Sequence, residues 1–407
     1  MKRILAVIFA SAYAVLSAQI NVHAYAPLFE ASFLQGWLCR GWTQAQWNQE
    51  FSDMHDAGFH AMILQSTVDL TYEQTNPDLP KTDPDAYALK ESAALYPTSL
   101  VPDSENAHAL ELALQAAKSN DMCIYIGTVS DNRWWNYGWG VPDEGFSEWS
   151  DENAAQCRTV VREVWEQFGD QYSAQIAGFY YNNEIWNMDA ACAGTDHGAT
   201  AAILGSNLHE TIAEIETQCP KKTLLISPFY NKDLPDSAAY GAFWKQIAAQ
   251  AQLRSQDILA HQDGGGRDYD TDTLAEWSEA LRSAVGGRMR FWVNQESFNP
   301  DTSAQAPELL RQNYFATATA EKHVLFSWNH YYHGKDDAGF AAMMQQMTGD
   351  LNGDGLCSAA DAVLLSRWIG QGSVEIANWL AGDLNASGAL DAADLTLLKR
   401  MLLHGAA

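Results

Sequence analysis

Short runs of β-branched, aromatic and other apolar residues alternate along most of this chain with longer stretches whose apolar positions recur every three or four residues. The short runs predict strands at 32–37, 61–67, 123–129, 177–181, 223–227, 258–262, 290–294 and 324–328. The amphipathic stretches predict helices at 43–57, 106–119, 153–168, 199–218, 237–252, 271–285 and 306–319, and a last piece at 338–347. Two helix starts carry capping signals: Thr43 with Gln46 three residues on, and Ser237. Eight strands, each followed by a helix, form the α/β pattern of a (β/α)8 TIM barrel. A doubly wound open sheet competes, but eight regular units without a Gly-rich phosphate turn after the first strand favour the barrel.

In a barrel the chemistry belongs at the C-terminal ends of the strands. Those ends hold Trp37, Gln65, Trp135, Asn183 with Glu184, Tyr230, His261 with Asp263, Glu296, and Trp328. Aromatic faces suit the apolar faces of sugar rings, and amides and carboxylates suit their hydroxyls, so this mixture fits a neutral polyhydroxylated ligand. For Trp165, Trp244 and Trp277, inside predicted helices, core filling is the preferred reading. Glu184 closes the fourth strand and Glu296 the seventh. Those strands oppose each other across an eight-membered ring, which sets two carboxyl groups on either side of a bound sugar. Glycoside hydrolysis needs such a pair, one protonated and one ionised. Asp263, before Gly264-Gly265-Gly266-Arg267, is the rival acid, and its glycines read as a flexible loop. No catalytic metal or cofactor is expected.

After residue 347 the pattern changes. Gly349-Asp350-Leu351-Asn352-Gly353-Asp354-Gly355, then Ala359-Ala360-Asp361 and an apolar helix, recurs 33 residues on as Gly382-Asp383-Leu384-Asn385-Ala386-Ser387-Gly388, Ala392-Ala393-Asp394 and a second helix. Each copy reads as an EF-hand-like calcium loop, so two calcium ions are expected. The ligands would be Asp350, Asn352, Asp354, the Leu356 carbonyl, Ser358 and Asp361. In the second loop they would be Asp383, Asn385, Ser387, the Ala389 carbonyl, Asp391 and Asp394.

Two such loops with Asp at the twelfth position, one helix each, and Leu-Leu-x-Arg or Leu-Leu-Lys-Arg helix faces resemble a type I dockerin over about sixty residues, 348 to 404. The resemblance implies docking on a cohesin module of a cellulosomal scaffoldin, through Ala359, Ala360, Ser366 and Arg367 or through Ala392, Ala393, Lys399 and Arg400. The Asn183-Glu184 and Glu296 arrangement resembles that of clan A glycosidases. This implies Glu184 as acid/base, Asn183 on the sugar 2-hydroxyl, Glu296 as nucleophile and Trp328 as a platform under the sugar. The stretch from Phe33 to Gln65 also resembles an uncharacterised family grouped with barrel glycosidases.

Composition narrows the setting. Met1-Lys2-Arg3, the apolar run 4–16 and small residues up to Ala26 read as a signal peptide, so the expected parts are 1–26 signal, 27–347 barrel and 348–407 dockerin. The net charge of −27 argues against nucleic acid, whose phosphates need a basic face, and the mature form has no apolar stretch long enough for a membrane helix. Six scattered cysteines form neither a disulfide framework nor a zinc site, though a pair such as Cys192 with Cys219 stays open. The chain thus reads as a secreted, cellulosome-associated glycoside hydrolase acting on a plant cell-wall polysaccharide. The alternative is a non-catalytic, carbohydrate-binding or structural barrel subunit of the same assembly.

Overall fold

The computed structural model describes residues 29–83, 85–137, 145–187, 197–234, 236–317 and 319–346, and towards the C-terminus 349–354, 357–372, 374–379, 381–385, 387 and 389–404. The expected signal peptide, Leu356 and Cys192 lie outside these residues. The chain divides into two compact units, one at Phe29–Ala341 and another that includes Ala342–Ala407.

The strands in chain order are β1 (Phe29–Leu34), β2 (Ala61–Leu64), β3 (Val68–Gln74), β4 (Tyr87–Ala94), β5 (Cys123–Gly127), β6 (Val129–Asp131), β7 (Ile176–Tyr181), β8 (Thr223–Ile226), β9 (Ile258–Gln262), β10 (Arg290–Glu296) and β11 (Lys322–Phe326). Eight of them close a parallel barrel in the ring order β1-β11-β10-β9-β8-β7-β5-β2. The fold is the TIM-type α/β barrel. Its floor is packed by alternate inward residues, among them Ala31, Phe33, Ile63, Tyr180, Leu225, Trp292 and Val324. The barrel strands are largely buried on both faces, inward against this core and outward against helices, so their sequences show no clean alternation.

The helices lie close to their expected positions. Thr43 and Gln46 make the reciprocal capping box at the start of Gln44–Asp56. At the helix Ser237–Ala251 the cap is Asp236, whose side chain accepts from Ala239 N, and not Ser237. Ser237 Oγ instead donates to Glu276. Trp244 and Trp277 are core, as expected, while Trp165 is half-buried on its helix.

Two further differences matter for the site. β3 and β4 form an antiparallel hairpin that joins β6 in a separate three-stranded sheet beyond the second barrel strand, an insertion not expected from the sequence. β1 ends at Leu34, and Gln35 opens a short helix, Gly36–Cys39, which carries Trp37. β11 ends at Phe326, and Trp328 starts another short helix.

The C-terminal unit holds the helices Ala359–Gln371 and Ala392–His404, packed on Leu351, Leu365, Leu384 and Leu398. Ser358 and Asp361 make a capping box at the first. The cysteines Cys39, Cys123, Cys157, Cys219 and Cys357 are free thiols.

Candidate functional site

Strand parity decides which side chains reach the barrel mouth. On β10, Trp292 points into the floor, so Asn294 and Glu296 follow it inward, whereas Gln295 turns out and donates to the Leu310 carbonyl. On β7, Tyr180 points inward, and the chain beyond it brings Glu184 to the same side. Tyr181 and Asn183 turn outward. Glu184 and Glu296 therefore line one pocket of about 260 Å³ at the C-terminal ends of the strands. Gln65, Gln262 and Asn294 add amides to its wall, and Trp135, Phe229, Phe298 and Phe326 add aromatic faces.

The two carboxyl groups sit in unlike surroundings. Burial, then the nearby charge of Glu296, push Glu184 up to about 7, against a hydrogen bond from Gln262 and the charge of Arg267. Glu296 is also raised by burial, but Gly266 N donates to its Oε2 at 2.8 Å and Arg267 lies near, and both favour its ionised form. Glu184 is thus the better proton donor near neutral pH, and Glu296 carries the better-stabilised anion.

The loop after β9 is built around that anion. Asp263 Oδ1 accepts from Gly265 N (2.9 Å) and Glu296 N (3.1 Å). Gly266 has to be glycine, because a Cβ there would meet Phe298 at 2.4 Å and Glu296 Oε2 at 2.8 Å. Arg267 places its guanidinium over the Phe229 ring at 5.1 Å, and Phe229 stacks on Trp186. The glycines therefore form a close-packed turn and not the flexible loop expected from composition. Gln262, Asn294 and Phe229 stand at the strand ends where the sequence places the site, whereas Arg267, Phe298 and Phe326 were not expected in the pocket. Gln262 and Asn294 are the last residues of their expected strands, though only register says that they face inward, and nothing local marks Arg267.

Several expected contacts fall elsewhere. Asn183 spends its amide hydrogens on Asn153 Oδ1 (2.8 Å) and the Tyr181 hydroxyl (3.0 Å), facing the helix Phe146–Tyr172 rather than a sugar. Tyr230 stacks on Trp277 at 4.4 Å and donates to the Asp263 carbonyl, behind the barrel wall. His261 is fully buried against Tyr230, and burial pushes its imidazole down to about 3, so it stays neutral. Trp328 is buried against Phe59 and His333. Its place on the pocket wall is taken by Phe326, the last inward residue of β11. Trp37 is 55% exposed, edge-on to His330, and does not line the pocket. Asp263 stands behind Glu296. Gln65, Trp135, Glu184 and Glu296 are the expected residues the pocket brings together.

In the C-terminal unit the loop acids fold inward. Asp361 Oδ1 accepts from Leu351 N and Asn352 N and its Oδ2 from Ser358 N, while Asp350 Oδ1 accepts from Gly353 N and Asp354 N. Asp394 takes Asn385 N and Asp391 N, and Asp383 Oδ1 takes Ser387 N. Among the described residues no three acid, His or Cys side chains converge as a metal site by themselves. The remaining hard oxygens, on Asn352, Asp354, Ser358, Asn385, Ser387, Asp391 and the Ala389 carbonyl, complete the kind of set calcium takes. Burial of Asp350, Asp361, Asp383 and Asp394 side by side in two small loops fits a divalent cation. Ala359, Ala360, Ser366, Arg367, Ala392, Ala393, Lys399 and Arg400 are all exposed.

The family model described as Domain of unknown function (DUF4434) matches residues 30–337, and that of the Dockerin type I domain matches 348–403. Type I dockerin domains generally bind calcium and engage cohesins. No curated protein matches the chain. Among solved structures, a candidate alpha-L-fucosidase from Bacteroides thetaiotaomicron superposes with a TM-score of 0.57 at 17% identity, over 80% of this chain and 94% of that one. A beta-galactosidase from Bacillus circulans sp. alkalophilus gives 0.50 at 8% identity, over 80% of this chain and 57% of that one. At these identities the likeness is one of fold. Among the described residues, no helix is long and apolar enough to cross a membrane.

Proposed function

The chain belongs to the family described as Domain of unknown function (DUF4434), and we propose that it is a secreted glycoside hydrolase of the retaining kind, carried to a plant polysaccharide by its dockerin. The observation that carries this reading is the pairing of Glu184 with Glu296 in one pocket, from opposed strands and in unlike electrostatic surroundings. Glu184, held protonated near neutral pH, donates to the glycosidic oxygen as Glu296 attacks the anomeric carbon. Glu184 then takes a proton from the water that releases the glycosyl-enzyme. Gln65, Gln262 and Asn294 offer hydrogen bonds to sugar hydroxyls, and Trp135 offers a ring face at the mouth.

Residues 1–26 act as an export signal, 27–347 form the catalytic barrel, and 348–407 dock on a scaffoldin cohesin with two calcium ions bound in the loops, in an extracellular cellulosome. The test is reducing-end release by the purified chain across a panel of cell-wall polysaccharides. Glu184→Ala and Glu296→Ala should each lower the activity found by at least about 10²-fold. An activity that survives both substitutions would place the chemistry elsewhere, and no release from any polysaccharide would favour a barrel that only binds.

A further inference from the structure

The proposed reaction leaves Asp263 unused, although it is fully buried, next to Glu296, and bonded to two main-chain N–H groups. Its Oδ1 joins two separate segments: the glycine turn, through Gly265 N, and the end of β10, through Glu296 N. One residue further along the turn, Gly266 N reaches Glu296 Oε2 at 2.8 Å. Asp263 therefore fixes the turn to the strand at the point where the turn delivers its donor to the carboxylate. We infer that Asp263 is a positioning residue for Glu296, acting as an uncharged acceptor that locks the glycine turn so that Gly266 N–H stays on the Glu296 carboxylate. This deepens the reading of Glu296 as nucleophile and rests on it.

The neutral state follows from the surroundings. Asp263 Oδ2 is buried with no hydrogen-bond partner, and an ionised oxygen left so would be costly. Burial first, then the charge of Glu296, push the Asp263 carboxyl up to about 8. Oδ1 already accepts two N–H groups, so a proton on the carboxyl belongs on Oδ2 and leaves Oδ1 as a carbonyl-like acceptor. An asparagine offers the same acceptor at the same place, so charge is not what the position requires. The titratable groups close enough to feel the charge of Glu296, or to act on it, are Glu184 from beyond β7, Tyr230 from beyond β8, Asp263 and Arg267 from the turn after β9, and Tyr331 from beyond β11. Of these, Arg267 alone supplies positive charge. The Gly266 N–H is the main-chain donor that favours the anion, so releasing the turn should raise the Glu296 pKa.

The test is a 13C titration of glutamate side-chain carboxyls in the full chain, with Glu296 assigned by its loss in Glu296→Gln. Asp263→Ala should move the Glu296 midpoint upward and lower kcat about 10- to 10²-fold with KM little changed, as expected when a reacting group is misplaced. Asp263→Asn should return both towards wild type. Gly266→Ala, whose Cβ meets Glu296 Oε2, should move the midpoint in the same direction as Asp263→Ala. An unmoved midpoint in a natively folded Asp263→Ala protein would overturn the inference, as would Asp263→Asn behaving like Asp263→Ala. If Asp263→Ala does not fold, an unmoved midpoint in Gly266→Ala overturns it instead. The titration needs no turnover, so a wild type that cleaves no glycoside counts against the functional reading alone.

Discussion

Replacing Gln262 by leucine should push the alkaline limb of the pH–rate profile upward. Glu184 must be protonated to donate, and its carboxyl, at about 7, sets the pH above which the acid is lost. The Gln262 amide bonds that carboxyl and favours its ionised form. A hydrogen bond to a charged group is worth about 1.5–3 kcal/mol, and one pH unit corresponds to about 1.4 kcal/mol. Water entering from the pocket would offset part of that loss, leaving a displacement of about one pH unit. The sign is fixed: with the amide gone, Glu184 holds its proton to higher pH, so activity that fades above about 7 in the wild type persists towards about 8. The assay is kcat/KM on an oligosaccharide with a poor leaving group, which reports the ionisations of the free enzyme. Gln262 Nε2 also donates to the Ser227 carbonyl at 3.0 Å, so thermal melting should confirm an intact barrel. A limb that stays in place or moves down would refute the assignment of Glu184 as the acid held by this amide.

Other outcomes can be checked independently. Chelator should strip helicity from an isolated 348–407 segment, and calcium should restore it, because short helices are marginal and the loop acids repel without a cation. Unchanged circular dichroism would count against the loops as metal sites. Trp135→Ala should raise KM roughly tenfold at nearly constant kcat, the pattern of lost ground-state stacking. A fall in kcat alone would mean that Trp135 acts in the chemistry instead. A crystal structure should place the Glu184 and Glu296 carboxyl groups about 5–5.5 Å apart, and a gap beyond about 6.5 Å would point to inversion.

The barrel and its opposed glutamates were legible because the signals that carry them are local. A buried apolar run marks each strand, and the strand count alone sets Glu184 opposite Glu296. Side-chain direction was not legible. The run Ile258-Leu259-Ala260-His261-Gln262 is apolar on both faces until its end, so nothing in it says that Gln262 faces the pocket and His261 the helices. Asn183 and Trp328 failed for the same reason, one residue out of phase or one turn past the strand. The β3–β4 hairpin escaped because β4 is largely exposed and polar, leaving little hydrophobic pattern to detect. The glycine turn looked flexible because its partners, Phe298 and Glu296, lie about thirty residues away in sequence. Thr43 and Gln46, by contrast, form a cap from residues three apart, and that cap was read correctly.

The central claim is the division of roles between the two glutamates, and the anomeric configuration of azide-rescued products tests it most directly. With an activated aryl glycoside, Glu184→Ala should form the glycosyl-enzyme and turn over when azide attacks it, giving a glycosyl azide of retained configuration by 1H NMR. Glu296→Ala, which lacks the nucleophile, should give the inverted azide by direct displacement. The opposite stereochemistry in the two variants would exchange their roles, and undiminished activity of either variant without azide would contradict the account.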